Sequence, residues 1–430
     1  MIIQRDSYLQ KLIDRQQNGL VKVVCGLRRS GKSFLLFTLF VDYLKSQGVD
    51  DSHIITLALD EDINEQYRDP DVLSAYIRSK ITNKMEMFYV MLDEIQFAIT
   101  KEELRNHDKP IKLYGVLNGL LHMGNVDVYV TGSNSKMLAK DVLTEFRGRG
   151  DSIEMHPLSF REFYSHVGGD RSVAFDDYAR YGGMPLVLSQ KDDMAKAEYL
   201  SGLFEELFFK DIMERYEIRL PNVVSELTDA LCSSVGSLTN VSKIVKTLAS
   251  TRKLSVDEGT IAAYLEYLTE SYLFKESRRY DVRGKKYFEY PLKYYCADLG
   301  LRNARLNFRQ QEESHILENI IYNELVARGF KVDVGVVPIY EKNEKGVSVE
   351  KRTEIDFVIN KGMKRYYIQS TLYMDDSEKA NQELRPLLGV KDMFRKVVIT
   401  KTTAKPWIDD KGVLRLGIYD FLLDEKSLDF

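Results

Sequence analysis

Apolar residues in the first third of the chain form short continuous runs that alternate with amphipathic segments of helical period. The runs are "VKVVCG", "HIITLAL", "MFYVMLDE" and "VDVYVTGS". A strand that is apolar on both faces is typical of a parallel sheet with helices on each side. We therefore predict a parallel α/β core over residues 21–160.

The pattern changes after this core. Residues 160–235 have long helical periodicity, and two shorter helical segments follow, "LTNVSKIVKTLAS" and "SVDEGTIAAYLEYLTESYLF". The runs "FKESRRYDV" and "KYFEYPLKYYCAD" then predict a hairpin that turns at "RGKK". From about residue 312, helical and strand patterns alternate again, as in a separate α/β unit. The prediction is an α/β multidomain protein divided into residues 1–160, 161–235, 236–305 and 306–430.

Composition narrows the class of protein. At 430 residues the chain is too long for one core, and 44% hydrophobic with 29% charged residues fits a globular protein. It contains no apolar run long enough for a membrane span, and "MIIQRDSYLQ" does not resemble a signal peptide. Cys25, Cys232 and Cys296 are odd in number and far apart, which favours a reducing compartment, the cytoplasm. A net charge of −4 excludes a uniformly basic protein but allows a local basic patch.

The segment "GLRRSGKS" follows the first predicted strand and precedes a helix, and it fits the phosphate-loop pattern G-x-x-x-x-G-K-[ST]. The loop backbone, which would surround the phosphates, comprises Gly26, Arg28, Arg29, Ser30 and Gly31. Lys32 is expected to reach the β- and γ-phosphates of ATP, and the Ser33 hydroxyl to bind Mg²⁺. The positive end of the following helix dipole would attract the same anion.

The strand "MFYVMLDEIQ" ends in two carboxylates, Asp93 and Glu94. Ligands bind at the carboxyl ends of parallel strands, so we expect Asp93 to support Mg²⁺ and Glu94 to orient or activate the attacking water. Ser133 and Asn134 follow another such strand, in "YVTGSNS", and could contact the γ-phosphate or the water. Ordinary turn residues would explain Ser133 and Asn134 equally well.

These motifs resemble those of AAA+-related P-loop ATPases of bacteria and archaea that carry an uncharacterised C-terminal domain, the AAA_14/DUF4143 type. The segments that carry the resemblance are "GLRRSGKS", "VMLDEIQ", "YVTGSNSKML", "LTEFRGRGDSIEMHPLSFREFY", "YGGMP", "LFFKDIMER", "YYCADLGLR", "ESHILENIIYNEL" and "TEIDFVI". The resemblance implies an ATPase core, a helical and winged-helix middle and a C-terminal domain similar to restriction nucleases. The family's Gly-Arg falls on Gly148 and Arg149, beside Arg147, and implies that Arg149 neutralises charge on the γ-phosphoryl group, often across a subunit interface. A salt-bridged surface arginine is the alternative.

The predicted hairpin is rich in cations, which could contact the phosphates of DNA. Lys275 to Lys286 include six basic and two acidic residues, with Tyr280 and Tyr287 among them. The DNA-binding candidates are Arg278, Arg279, Arg283, Lys285 and Lys286. A solvated hairpin, or a winged helix that contacts protein, would show the same pattern.

The tail has some of the residues that a metal-dependent nuclease uses. Glu318 lies on a predicted helix, and Glu354 and Asp356 lie on a strand. The resemblance implies that the next strand ends in Glu-x-Lys, but "YYIQST" has Gln369 and Thr371 at these positions. We therefore expect the tail to be a retained scaffold without nuclease activity.

The combined prediction is an ATPase that depends on Mg²⁺, binds DNA (branched forms included), forms a homo-oligomer and has no membrane partner. It would couple the nucleotide state to conformational change or assembly. One alternative is a signalling or scaffold switch that binds only protein. The other is an active nuclease with an ATPase motor.

Overall fold

The computed structural model describes residues 2–105, 110–132, 150–309, 312–342, 348–374 and 377–430. Contacts divide the chain into two compact units, residues 1–157 with 270–272, and residues 158–269 with 273–430. Within the described ranges, none of the helices combines the length and apolar character needed to cross a membrane. The three cysteines are buried, and none forms a disulfide with another.

The first unit contains a five-stranded parallel sheet. Its strands are β1 (Val21–Gly26), β2 (Ile54–Ala58), β3 (Phe88–Asp93), β4 (Val126–Gly132) and β5 (Gly150–Met155), in the order β2-β3-β4-β1-β5. Its α-helices are Asp6–Ile13, Lys32–Phe34, Val41–Ser46, Pro70–Lys80, Lys101–Arg105 and Lys112–Leu121. A π-helical stretch, Leu35–Phe40, joins the second and third helices, and short 3-10 helices cover Asp51–His53, Asp62–Arg68 and Ile95–Ala98. The predicted parallel core is confirmed.

Continuous apolar runs form the interior strands of this sheet because both of their faces are covered. Every residue of β1, β3 and β4 is buried. The helix after β1 packs Leu36 and Phe40 into a core with Met91 and Tyr129. The strand β4 lies between β1 and β3, so the tip of β4 falls between the phosphate loop and the Asp93-Glu94 pair.

The second unit contains a nine-stranded mixed sheet and most of the helices. Its strands are β6 (Leu238–Thr239), β7 (Phe274–Asp281), β8 (Lys286–Cys296), β9 (Lys331–Lys342), β10 (Ser348–Lys361), β11 (Lys364–Thr371), β12 (Arg395–Thr400), β13 (Trp407–Ile408) and β14 (Leu414–Gly417). The helices before the hairpin are Phe160–Val167, Arg171–Tyr181, Asp193–Leu203, Lys210–Arg215, Pro221–Ser233, Val241–Arg252 and Glu258–Glu270. The helices after it are Leu299–Arg305, Glu313–Ala327, Ser377–Gly389 and Ile418–Leu423.

The strand order of this sheet is β13-β14-β12-β11-β10-β9-β7-β8-β6. The hairpin β7–β8 is confirmed, with Tyr280 opposite Tyr287. On its other side β7 pairs in parallel with β9, and Tyr280 lies opposite Gly335. The division predicted at residues 305 and 306 therefore falls inside one continuous sheet, because hydrogen bonds between β7 and β9 join the hairpin to the tail.

The helix Ser377–Gly389 covers part of one face of this sheet. Its Leu384 and Leu387 pack with Val358, Tyr367 and Val398 in a single core cluster. The helix Glu313–Ala327 contributes Tyr322, which stacks on Tyr295 of β8 at a ring distance of 3.9 Å. The C-terminal half of β8 is buried, and Tyr322 of the tail packs against it.

Candidate functional site

Three residues of the phosphate loop have positive φ angles, which glycine adopts easily and other residues adopt rarely. Gly26 and Gly31 have φ angles of +134° and +99°, and Arg29 has +64°. A Cβ atom on Gly26 would lie 2.1 Å from the carbonyl oxygen of Met155, the last residue of β5. Any other residue at position 26 would therefore have a strained backbone and a side chain in collision with β5.

Lys32, the first residue of the following helix, is 4% exposed. Its ammonium group donates hydrogen bonds to the carbonyl oxygens of Gly26 and Leu27, both at 3.1 Å. Burial lowers the pKa of Lys32, while the carboxylates of Glu94 and Asp93 oppose the shift. The amine thus lies inside a curled loop and donates to two backbone oxygens of that loop.

Other groups of the loop also suit a phosphate ligand. The Ser30 hydroxyl is buried and, among the described residues, has no hydrogen-bond partner. Arg28 is half-buried, and Arg29 and Ser33 are exposed. An orphaned hydroxyl, a buried ammonium group and a glycine-lined curl fit the polyphosphate of a nucleotide. Mg²⁺ would find oxygen ligands in Ser33 and Asp93.

The tip of β3 holds the two predicted carboxylates in different surroundings. Asp93 is buried, and this burial raises its pKa although hydrogen bonds from the Ser33 and Thr131 hydroxyls oppose the shift. Glu94 has a left-handed backbone with φ of +51°, and its carboxylate accepts a hydrogen bond from the Gln96 amide. The structure therefore brings Lys32, Asp93 and Glu94 to one edge of the sheet.

Thr131, in β4, connects these two carboxylate residues and was not predicted as a site residue. Its hydroxyl donates a hydrogen bond to Asp93 and accepts one from the backbone N–H of Glu94 at 3.0 Å. The signal in the sequence was its position near the end of an apolar run, directly before Gly132. Ser133, Asn134, Arg147 and Arg149 lie outside the described residues.

The basic residues of the hairpin do not form one surface. Arg278 is exposed and lies 3.6 Å from Glu276, whereas Arg279 is half-buried with its guanidinium carbon 5.3 Å from the Phe288 ring centroid. Arg283 donates a hydrogen bond to the Gly389 carbonyl oxygen at 3.0 Å. Lys285 and Lys286 are exposed at the turn.

The carboxylates of the tail surround a lysine that the sequence analysis missed. Lys293 of β8 is 4% exposed, and its ammonium nitrogen lies 2.9 Å from an oxygen of Glu318 and 2.7 Å from an oxygen of Glu354. Burial alone would lower the pKa of Lys293, but the carboxylates of Glu318, Glu354 and Asp356 raise it. The resemblance implies a lysine at the position of Thr371. In the structure the positive charge of this cluster comes instead from Lys293, on strand β8 of the hairpin.

Gln369 satisfies the remaining carboxylates of this cluster. Its amide nitrogen donates to Asp356 at 3.1 Å and to Glu383 at 2.9 Å. Asp356 also accepts hydrogen bonds from the Ser370 hydroxyl and N–H at 2.7 and 2.8 Å. Burial, followed by the charge of Glu318, raises the pKa of Asp356 to about 7. Thr371 turns away from the cluster, and its hydroxyl donates to the Tyr373 carbonyl oxygen.

Two family models match the chain. An AAA domain, AAA_14, matches residues 18–164, and a domain of unknown function, DUF8612, matches residues 172–312. An uncharacterized protein of Haemophilus influenzae is 32% identical over 428 residues, which cover 98% of this chain and 99% of that protein. An uncharacterized protein of Methanocaldococcus jannaschii is 27% identical over 91% of this chain and 82% of its own length. The Walker-type ATPase Paby2304 of Pyrococcus abyssi has 17% identity and a TM-score of 0.47, over 71% of this chain and 96% of its own.

The parallel sheet, the phosphate loop and the two carboxylates at the neighbouring strand tip define a P-loop protein of the α/β class. More specifically, the chain belongs to the AAA+-related P-loop ATPase family with an AAA_14 core, as the resemblance implied. The region that follows the core matches DUF8612, where the DUF4143 type was expected.

Proposed function

We propose that the protein binds and hydrolyses ATP with Mg²⁺, and that it couples the nucleotide state to conformational change or assembly. The observation that supports hydrolysis most directly is the continuous set of contacts from Ser33 through Asp93 and Thr131 to Glu94. These contacts connect the phosphate loop to Glu94, the group best placed to polarise the attacking water. When bound, Mg²⁺ would neutralise charge on the phosphates.

Each side chain then has a separate role. Lys32 would exchange its two carbonyl partners for phosphate oxygens, and Ser33 and Asp93 would hold the metal ion. Glu94 accepts a proton from the attacking water, and Gln96 fixes the orientation of its carboxylate. Thr131 positions Asp93 and Glu94 relative to each other. Ser133 and Asn134 remain candidates for contact with the γ-phosphate or the water.

Two variants test this assignment. Lys32→Ala removes the ammonium group and weakens nucleotide binding, whereas Glu94→Gln retains binding and lowers turnover because an amide is a poor base. Steady-state hydrolysis and direct nucleotide titration separate the two effects. Parent-like hydrolysis by Glu94→Gln would show that another group acts on the water.

We further propose that Arg149 acts on the nucleotide of a neighbouring subunit in a homo-oligomer. This role rests on the Gly148-Arg149 pair of the sequence and the charge that an arginine supplies to a γ-phosphoryl group. Mixing Arg149→Ala with Lys32→Ala should restore part of the activity, since each variant supplies the group that the other lacks. No recovery in verified mixed oligomers would favour a role within one subunit.

DNA is the proposed macromolecular partner, and the cytoplasm the proposed compartment. Exposed Arg278, Lys285 and Lys286 support phosphate contacts. Three buried cysteines without a disulfide among them suit a reducing environment. Replacing Arg278, Arg279, Lys285 and Lys286 with Gln should weaken binding and flatten its salt dependence. A gel shift with single-stranded, duplex and branched DNA, with and without ATP, tests the partner. ATP hydrolysis without any DNA binding would favour the scaffold switch.

We propose that the tail does not cut DNA. Lys293 and Gln369 already supply donors to Glu318, Glu354, Asp356 and Glu383. A metal ion would have to compete with these internal donors for the same oxygens. Mg²⁺-dependent cleavage by the parent that disappears in Asp356→Ala would instead establish the nuclease.

A further inference from the structure

On the face that carries the helix Ser377–Gly389, the described part of the sheet of the second unit has an area of partly exposed side chains. Tyr287 and Tyr280 are opposite each other on β8 and β7, and Tyr280 is opposite Gly335 of β9. Because side chains alternate between faces along a strand, Lys331 and Asp333 lie on the same face as Gly335. The pairing of Lys331 with Asn360, and of Asn360 with Arg365, extends this face to β11.

Aromatic rings and cations alternate across this area. The Tyr280 and Tyr287 ring centroids are 5.2 Å apart. The Arg365 guanidinium carbon is 5.8 Å from the Tyr280 ring centroid and 5.2 Å from that of Phe394. Tyr287 is 56% exposed and Phe394 42% exposed. Lys331 and Arg278 add exposed positive charge at the border.

Hydrogen bonds hold these groups in place without covering them. The Tyr287 hydroxyl donates to Asp333 at 3.0 Å, and the Arg365 Nε donates to Asn360 at 2.7 Å. Pre-positioned rings and guanidinium groups lose little conformational freedom when a ligand stacks on them.

We propose that this aromatic–arginine face, formed by Tyr280, Tyr287, Arg365 and Phe394 with Arg278 and Lys331 at its border, binds single-stranded DNA. The inference rests on the proposed DNA binding and specifies its substrate class. Bases stack on exposed aromatic rings and on arginine planes only when they are unpaired, because in a duplex they already stack on each other. The bordering cations match the charge of the phosphates.

The opposite face of the same sheet provides a matched control. There Arg279 and Arg352 lie over the ring of Phe288, with guanidinium carbons 5.3 and 5.6 Å from its centroid. Arg352 is 59% exposed, so its removal changes the protein's charge as Arg365→Gln does, but on the other face.

The experiment measures fluorescence anisotropy of a labelled single strand of about 16 nucleotides and of a duplex of equal length, with the full chain. Tyr287→Ala and Phe394→Ala should each weaken single-strand binding about fivefold or more, since each removes one stacking platform. Arg365→Gln should weaken it as well. Tyr287→Phe keeps the ring but loses the bond to Asp333 that positions it, so it should lose less affinity than Tyr287→Ala. Arg352→Gln should bind as the parent does.

The possible failures are distinguishable. Unchanged single-strand affinity in Tyr287→Ala and Phe394→Ala would overturn this face as the binding site. An equal loss for the duplex would overturn its selectivity for single strands, and either result leaves the DNA partner standing. Absence of binding to either DNA would overturn the proposed DNA partner together with this face. ATP hydrolysis and the unfolding midpoint, measured on the same samples, should match those of the parent because Tyr287 and Phe394 are exposed.

Discussion

The two units each contain a buried, 4%-exposed lysine with opposite chemistry. Lys32 donates to two carbonyl oxygens, and burial lowers its pKa. Lys293 donates to two carboxylates, which raise its pKa in spite of burial. The first lysine bonds to neutral carbonyl oxygens, which an external anion could replace. The second already has its anions within the protein, so its site is internally neutralised.

The largest expected effect is a loss of folding stability in the variant Lys293→Ala. Removing the ammonium group leaves Glu318 and Glu354 as charged neighbours without a cation, which should lower the free energy of unfolding by about 3–5 kcal/mol. Urea unfolding of the full chain measures this free energy. The combined variant Lys293→Met, Glu318→Gln and Glu354→Gln removes all three charges and should recover most of the loss. A loss below about 1 kcal/mol in Lys293→Ala would contradict internal neutralisation.

Lys32→Ala should have the opposite effect to Lys293→Ala: it should weaken nucleotide binding and leave the folding stability unchanged. Nucleotide affinity should fall roughly a hundredfold, or about 3 kcal/mol, because charge-assisted bonds to phosphate are lost. Stability without nucleotide should not fall, since the variant removes a desolvated cation that donates to the backbone carbonyls of Gly26 and Leu27. Calorimetric titration of nucleotide and urea unfolding test both halves, with Lys293→Met as the control that should bind nucleotide normally. A stability loss equal to that of Lys293→Ala would remove the contrast between the two lysines.

Thr131→Val should have a smaller effect, confined to turnover. Valine keeps the shape but loses the hydroxyl that connects Asp93 with the Glu94 backbone, so kcat should fall about tenfold with little change in KM. Thr131→Ser retains the hydroxyl and should restore most of the rate. If KM rises while kcat holds, Thr131 contributes to nucleotide binding rather than to the placement of Glu94.

The smallest effect is a pH dependence from Asp356, whose pKa is raised from 3.8 to about 7. A carboxyl whose folded-state pKa exceeds the unfolded value stabilises the fold fully below the unfolded pKa, and this contribution is lost as the pH rises through about 7. The unfolding midpoint of the parent should therefore fall by a few degrees relative to Asp356→Asn between roughly pH 4 and pH 8. Parallel curves for the two proteins would show that Asp356 does not titrate in this range.

The sequence predicted the phosphate site better than the tail site for a physical reason. Gly26, Lys32 and Ser33 are close in the chain, and their spacing is fixed by one turn and one helix. Asp93 follows from its position at the end of a fully apolar strand. Thr131 was missed because its role depends on β4 lying between β1 and β3, and strand order is not visible in a linear pattern.

Lys293 was missed because its partners are distant in sequence. It is 25 residues from Glu318 and further still from Glu354, and it lies on a strand assigned to a different region. Thr371 stands where the resemblance implied a lysine, and the positive charge at this cluster comes from Lys293 of β8. The strand β5, "GDSIEM", also escaped prediction because its polar residues resemble a turn, and parallel pairing with β1 decides its conformation.

The pairing of β7 on both sides bears on how this protein can be cut into fragments. A fragment that ends before residue 306 would lack β9 and leave the outer edge of β7 with unpaired N–H and C=O groups. Such an open edge recruits other strands, so the fragment should self-associate even though it contains the complete hairpin. A soluble version of the middle region would need to retain β9 or carry a charged or proline substitution on β7.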